Sequence, residues 1–427
     1  MEKFIGFVGI AFFLGVAWLM SENRKQISWR PVVAGLILQF VLAFLILKTV
    51  PGRMFFLFLN DVVGYMLQFT REGATFVFGA ELMRMQSFAL TILPTVIFFS
   101  SFFAVLYYFG ILQFIVKAFA VVLRKLFGVS GGEAVACAAN VFMGQTEAPL
   151  TIKPFIEKMT HSELMTIMTA GMATVAGGVL AAYVSMGVSA GHLIAASVMN
   201  APAAIVFAKI IVPETGIPVT ADVKSIKVEV VDRNVLEAAA RGAGEGVFLA
   251  INIAAMLLAF VAFVYLLNFI FGIFGTSMEA ILGVILRPVA FIMGASWDQA
   301  GEIATLLGIK TVLNEFIGYS NLGEFIRVRH LFEAMGGEGN LLFTNFPYIA
   351  DTIQPAIQVF TERNILLATY ALCSFANLSS IAIQLGGIGG MAPSRRGEIA
   401  SLGIRSMIAG GMTACMTATI VLIIFSF

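Results

Sequence analysis

Gln145, Thr146 and Glu147 set an amide, a hydroxyl and a carboxylate side by side, within Asn140-Val-Phe-Met-Gly-Gln-Thr-Glu-Ala-Pro-Leu150. Together they donate and accept several hydrogen bonds, which suits a flat heterocycle with donors and acceptors of its own. Asn314-Glu315-Phe316 joins a carboxylate to an amide, a pair suited to the vicinal hydroxyls of a sugar. Asn377 and Ser380 are three residues apart and share one helix face. Asn140 and Thr174 offer side-chain oxygens of the kind that hard cations take. Gly171, Gly177 and Gly178 would let the helix carrying Thr174 unwind and bare its carbonyls. Each cluster also has a plainer reading, as a polar clamp or small-residue packing between helices. Taken alone, Asn377 and Ser380 fit that reading, and the cation reading of Asn140 and Thr174 stays open. Around Gln145 three adjacent polar groups lie between Gly144 and Pro149, both helix breakers, and a binding site is the better account.

The surroundings make these clusters costly. The 427-residue chain is 59% hydrophobic and 12% charged, with a mean hydropathy of +0.94. A soluble domain is about 25% charged, so too little polar surface remains to cover a water-soluble globule. Long apolar runs rather than short alternating strands point to an all-α polytopic membrane protein and away from a barrel. A carboxylate at the bilayer centre costs roughly 2.5–3.5 kcal/mol, so such groups face a cavity and have partners. Broken backbone at that depth is tolerated only inside protein or beside water. The net charge of +1 argues against nucleic acid as partner. Cys137, Cys373 and Cys415 lie far apart in apolar surroundings and read as buried thiols; His161, His192 and His330 lack ligand spacing. No nucleophile–base set, P-loop or dinucleotide fingerprint appears, so the chain does not read as an enzyme, and it calls for no organic cofactor.

About 20 apolar residues cross the hydrocarbon layer. Eight runs qualify: 4–20, 31–49, 90–120, 163–187, 190–212, 246–275, 364–385 and 400–427. Met1–Met20 lacks a cleavage site after its long apolar run and reads as a retained first span. Residues 52–88 read as interfacial helices, and 133–158 and 297–327 as re-entrant hairpins that carry the first two clusters. The polar stretch 213–240 divides the chain into halves with the same order: hairpin, span with small and polar residues, further span. Paired interrupted segments in corresponding positions point to a transporter site in an inverted repeat. One or two interfacial helices are expected in 328–362. Arg24, Lys25 and Arg30, then Arg395, Arg396 and Arg405, mark cytoplasmic loops, which puts both termini outside and requires an even number of spans.

Gly144-Gln-Thr-Glu-Ala-Pro-Leu150, Asn314-Glu-Phe316 and Phe375-Ala-Asn-Leu-Ser-Ser-Ile381 together resemble the concentrative nucleoside transporters, over nearly the whole chain. The resemblance implies eight spans and two re-entrant hairpins, a scaffold and a moving transport domain, and a homotrimer in a bacterial cytoplasmic (inner) membrane. It suggests a division into 1–130 (N-terminal scaffold), 131–213 (first transport repeat), 214–290 (linker and scaffold span) and 291–427 (second transport repeat). By motif, Gln145, Thr146 and Glu147, with Val179 and Phe375, would contact the base of a uridine-like or adenosine-like nucleoside. Glu315, Asn377 and Ser380 would hold the ribose. Sodium, the coupling ion, would map to Asn140, Met143, Thr174 and Val175. The full Gln-Thr-Glu-Ala-Pro form resembles the sodium-coupled members.

The resulting expectation is a symporter that imports nucleosides on the sodium gradient by elevator-type alternating access. A proton-coupled version, with Glu147 or Glu315 taking up the proton, is the alternative. A channel, or an intramembrane enzyme acting on a lipid-linked nucleoside, are readings from other classes; the enzyme would need an acid–base pair or metal cluster that the sequence does not display.

Overall fold

A computed structural model describes residues 2–85, 87–221, 232–334 and 359–426, and all regular structure among them is helical. The helices are α1 (Glu2–Leu19), α2 (Trp29–Lys48), α3 (Val50–Phe78), α4 (Ala80–Met83), α5 (Phe88–Tyr108), α6 (Ile111–Phe127), α7 (Gly131–Ala139), α8 (Lys153–Ile156) and α9 (His161–Ala173). They continue as α10 (Gly177–Ser185), α11 (Ala190–Ile211), α12 (Val235–Gly272), α13 (Met278–Ile292), α14 (Ala300–Val312), α15 (Glu315–Ala334), α16 (Glu362–Leu372), α17 (Leu378–Met391) and α18 (Arg396–Phe425).

Two sets of elements repeat in order. α7 leads through an irregular tip and a 3-10 turn (Ala148–Ile152) into α8; the broken pair α9/α10 and the continuous α11 follow. The second set is α14 and α15, the broken pair α16/α17, and α18. Six long apolar helices are of spanning length among the described residues, and the shorter apolar stretches Phe4–Leu19 and Leu378–Met391 bring the number to the eight expected.

Two expected spans need correction. The run 90–120 is not one span: Gly110 adopts φ +76°, the chain turns, and α6 begins. α6 buries Leu112, Val116, Ala120, Leu123 and Phe127 on one face and carries Lys117, Arg124 and Lys125, so it is amphipathic. The run 364–385 is not continuous either: the helix stops at Leu372 and restarts at Leu378, where the Asn377 side chain caps it by accepting from Ser380 N at 2.9 Å. The break expected near Thr174 is present, at Thr174–Ala176. Residues 52–88 fall largely within one 29-residue helix, α3, which carries Arg53, Asp61, Arg71 and Glu72 and exposes much of its length. Of the expected interfacial segment 328–362, α15 covers the start, and 335–358 lie outside the described residues, as do 222–231 of the polar connection.

α11 and α18 form the buried centre, and α2 packs against both. α1 lies against α18 and more lightly against α11 and α13. α5 and α12 pack on each other, closely enough that a methyl at Gly242 would meet Ala104 Cβ at 2.5 Å and one at Gly246 would meet Ile97 Cα at 2.7 Å. α12 is mostly exposed along its 38 residues. Hydrogen bonds from Glu22 N to Ile211 O, Arg30 Nη2 to Lys125 O and Arg124 Nη2 to Ala221 O gather three connections on one face of the bundle. That face carries Arg24, Lys25, Arg30, Arg124 and Lys125. The base of the first hairpin is anchored there. Capping boxes Ser130/Glu133 and Thr160/Glu163 start α7 and α9, and the buried Lys209 ammonium lies 2.5 Å from Glu133 and donates to Ser162 Oγ at 2.9 Å.

Candidate functional site: a cavity between two hairpin tips and two broken helices

Each hairpin tip presents its polar residues because the helix cannot continue there. α7 ends at Ala139, and the chain curls back through Gly144; Glu147 Oε2 accepts from Gly144 N at 3.2 Å and closes the tip. Gln145 Nε2 donates to Ser380 Oγ at 3.1 Å, joining the first hairpin to α17. Thr146 lies flush on α17: a Cβ added at Gly387 would fall 2.5 Å from its Cγ2. In the second hairpin Asn314 Oδ1 accepts from Ile317 N at 3.0 Å, and Glu315 is the first residue of α15. There the positive end of the helix favours a carboxylate. Glu315 Oε1 accepts from Tyr183 Oη and Oε2 from Asn377 Nδ2, both at 2.9 Å.

The two breaks satisfy each other. Phe375 N donates to Thr174 O at 3.2 Å, and Gly177 N to Phe142 O at 3.0 Å. Asn200, at the centre of α11, donates through Nδ2 to Ala173 O at 2.8 Å and Cys373 O at 2.7 Å. One amide thus holds the carbonyls where both helices come apart, which unwound backbone at this depth requires.

These groups line one cavity of about 1730 Å³, bounded across from the tips by α5 and α12. Gln145, Thr146, Glu147, Val179, Glu315, Phe375, Asn377 and Ser380 all reach it. The walls also include Phe103, Phe248, Leu249 and Ile253. The cavity runs from the tips toward Tyr107, Lys153, Arg241 and Glu245. Arg241 binds Asp232 through two 2.8 Å hydrogen bonds and Glu245 through one, and its guanidinium holds the Asp232 carboxyl below the usual range. The arrangement can take a ligand with a hydrogen-bonding plane at one end and paired hydroxyls at the other. The Glu315 carboxylate takes one side-chain donor on each oxygen, leaving acceptor capacity for a ligand.

Of the four residues mapped to the cation, Met143 reaches the cavity, and Asn140, Thr174 and Val175 lie behind the tip. The Phe142–Gly177 bond brings residues 140–143 against the break at 174–176; no bond joins Asn140 to Thr174 directly. Asn140 donates to Ala136 O at 2.9 Å, and its Oδ1 is buried with no partner among the described residues. Thr174 Oγ1 donates to Ala170 O and keeps its lone pairs. An orphaned amide oxygen, a hydroxyl and the carbonyls of residues outside any helix make an oxygen donor set that fits a hard cation.

Four contributors were not singled out from the sequence. Tyr183 lies four residues after Val179, on the same face of α10, and that spacing is the signal that could have found it. Asn200 sits in a small-residue helix where an amide reads as packing. Arg241 and Glu245 fall between the polar stretch 213–240 and the expected span 246–275.

Three family models match along the chain: "Na+ dependent nucleoside transporter N-terminus" over residues 8–81, "Nucleoside recognition" over 89–190, and "Na+ dependent nucleoside transporter C-terminus" over 192–421. The uncharacterized transporter YutK of Bacillus subtilis is 40% identical, over 98% of this chain and 99% of its own. Solute carrier family 28 member 3 of Rattus norvegicus is 42% identical over 98% of this chain, and sodium/nucleoside cotransporter 1 of Mus musculus is 38% identical over 99%. This chain spans only 58% and 64% of those two proteins. Among solved structures, CNTnw in an inward-facing substrate-bound state superposes with a TM-score of 0.87 at 38% identity, covering all of both chains. A doubly substituted CNTnw in an outward-facing state gives 0.88 at 37% identity, covering 100% of this chain and 99% of that one, so overall likeness does not distinguish the states. With family models along its length and a bacterial relative matched from end to end, this chain is a multi-pass helical membrane protein that belongs to the Na+-dependent nucleoside transporter family.

Proposed function

We propose that this chain carries nucleosides across the cytoplasmic membrane together with sodium, by moving the hairpin-bearing helices past α5 and α12. The observation that carries the reading is the convergence of Gln145 with Ser380, and of Glu315 with Asn377 and Tyr183, in one cavity fed by both hairpins. Gln145, Thr146 and Glu147 match the edge of a base, with Val179 and Phe375 as its apolar walls. Glu315 and Asn377, with Ser380, match the hydroxyls of a ribose.

Sodium is the cotransported ion in this reading, and the donor set around Asn140 supports it. Its oxygens belong to the backbone that also carries Gln145 and Thr146. An ion held there orders the base-binding tip, and an ordered tip binds the ion better; the coupling is reciprocal. The alternative coupling ion, a proton on Glu147 or Glu315, has no such need for Asn140.

The small side chains of the broken helices support a sliding movement. A Cβ at Gly177 would meet Phe103 of α5 at 2.5 Å, and one at Gly178 would meet Ser100 Oγ at 3.0 Å, so bare backbone lies on the α5 wall. The packing supports a moving unit of α1, α2, the two hairpins, both broken pairs, α11 and α18, against a static α5 and α12. That groups α1 and α2 with the repeats rather than with a 1–130 scaffold. α12 leaves Leu258, Tyr265 and Phe269 about three-quarters exposed, a face for lipid and for the other copies of a homotrimer. The cavity runs toward the face rich in arginine and lysine, which the basic-loop rule assigns to the cytoplasm, with both termini opposite.

The test is radiolabelled uridine uptake into vesicles. Accumulation with an inward sodium gradient, abolished when potassium replaces sodium, is expected. Equal uptake in sodium-free acidic buffer would establish the proton-coupled alternative, and flux without accumulation would refute both.

A further inference from the structure

Lys310 sets a lysine amine in the interior of a membrane protein. It is 2% exposed, in the last turn of α14, and its ammonium donates to Ala371 O at 2.8 Å. Ala371 lies in the last turn of α16, just ahead of the break that ends in Asn377. Lys310 therefore fastens the first arm of the second hairpin to the second broken helix. A buried ammonium in this setting is costly and marks function by default.

The corresponding junction of the first repeat is built differently. There the first arm is α7, the broken helix is α9, and the residue at the junction is Asn140. Asn140 donates only within its own helix, to Ala136 O, and its Oδ1 has no partner among the described residues. That junction leaves a buried oxygen unmet. Asn200 makes the two junctions comparable, because it donates to Ala173 O at the end of α9 and to Cys373 O just past α16. One repeat offers an open oxygen where the other inserts an ammonium.

We propose that Lys310 is the resident cation of the second repeat: it does for the sugar-binding hairpin what sodium does for the base-binding one. It is a positioning residue, acting through the 2.9 Å contact between Asn377 at the second break and Glu315 at the second hairpin tip. The sugar end is then assembled without an ion from solution, and sodium governs the base end alone. The inference rests on the nucleoside–sodium reading above.

The test compares the parent with Lys310→Met, which keeps the side-chain volume and removes the charge. Two quantities are read: selectivity for uridine over 2′,3′-dideoxyuridine at saturating sodium, and the sodium concentration giving half-maximal thermal stabilisation without nucleoside. Selectivity should fall about tenfold or more, as loss of an aligned charge-assisted hydrogen bond implies, while the sodium midpoint stays within about twofold. Parental selectivity in the variant, or a sodium midpoint that shifts along with it, overturns the proposal. Lys310→Gln, which keeps an N–H for Ala371 O without the charge, is judged by the same two readouts. Failure of both variants to fold also counts against the proposal, since the role assigned lies in substrate binding. A parent with no sodium-dependent uridine uptake would sink the functional reading itself; a normal parent beside an unaltered variant sinks only the role of Lys310.

Discussion

Replacing Glu315 with glutamine tests the sugar end of the cavity most directly. The carboxylate accepts from Tyr183 Oη on one oxygen and Asn377 Nδ2 on the other, both at 2.9 Å. Each oxygen retains a lone pair for a ribose hydroxyl. Glutamine turns one oxygen into a donor, so whichever way the amide lies, one sugar hydroxyl loses its acceptor. The other keeps a neutral acceptor in place of a charged one. A hydrogen bond to a charged group contributes about 1.5–3 kcal/mol and a neutral one about 1 kcal/mol, so one bond lost outright and one weakened from charged to neutral together cost roughly 2–5 kcal/mol. At about 1.4 kcal/mol per decade, uridine affinity should fall roughly 30- to 4,000-fold. The assay is uridine binding to purified protein at saturating sodium, beside 2′,3′-dideoxyuridine. The dideoxy compound lacks the vicinal 2′ and 3′ hydroxyls that the carboxylate would hold and should shift by no more than about threefold. An equal fall for both compounds would show that the carboxylate serves the fold and not the sugar, and parental affinity for uridine would remove it from the site altogether.

Other substitutions separate the remaining parts. Asn140→Ala should raise the sodium concentration needed for half-maximal uptake about tenfold or more while uptake at saturating sodium largely recovers; an unchanged sodium curve would move the ion elsewhere. Gly387→Ala puts a methyl 2.5 Å from Thr146 Cγ2 and should weaken uridine and dideoxyuridine alike, through about 1–3 kcal/mol of overpacking at the base end, measured as the ratio of the two KM values. Asn200→Ala strands Ala173 O and Cys373 O and should destabilise the protein by about 2–6 kcal/mol, seen as a lowered thermal unfolding midpoint in detergent; an unshifted midpoint would mean water replaces the amide.

The site was legible in the sequence wherever polar side chains interrupt an apolar run. Gln145-Thr146-Glu147 and Asn314-Glu315 stand out because nothing but a cavity lets them lie at depth, and the structure brings both to one. The break after Thr174 was legible through its glycines. The break between Leu372 and Leu378 was not, since Cys373-Ser-Phe-Ala-Asn377 contains neither glycine nor proline. That helix is interrupted by Asn200, distant in sequence, which takes a carbonyl at the break, and by Asn377, within the break, which caps the new start. The turn at Gly110 was hidden because α6 continues the apolar run and only its one-sided charges distinguish it from a span. Lys310 passed as an ordinary helix lysine, because burial is a property of the packed bundle and leaves no local trace.

The double hydrogen bond of Asn200 has a mechanical consequence. Sliding one half of the pocket past the other would tear a carbonyl from its Asn200 donor, at about 1–3 kcal/mol. In the transport cycle proposed above, this bond favours a displacement that carries both halves together, so that the solute would ride with its pocket rather than thread through it.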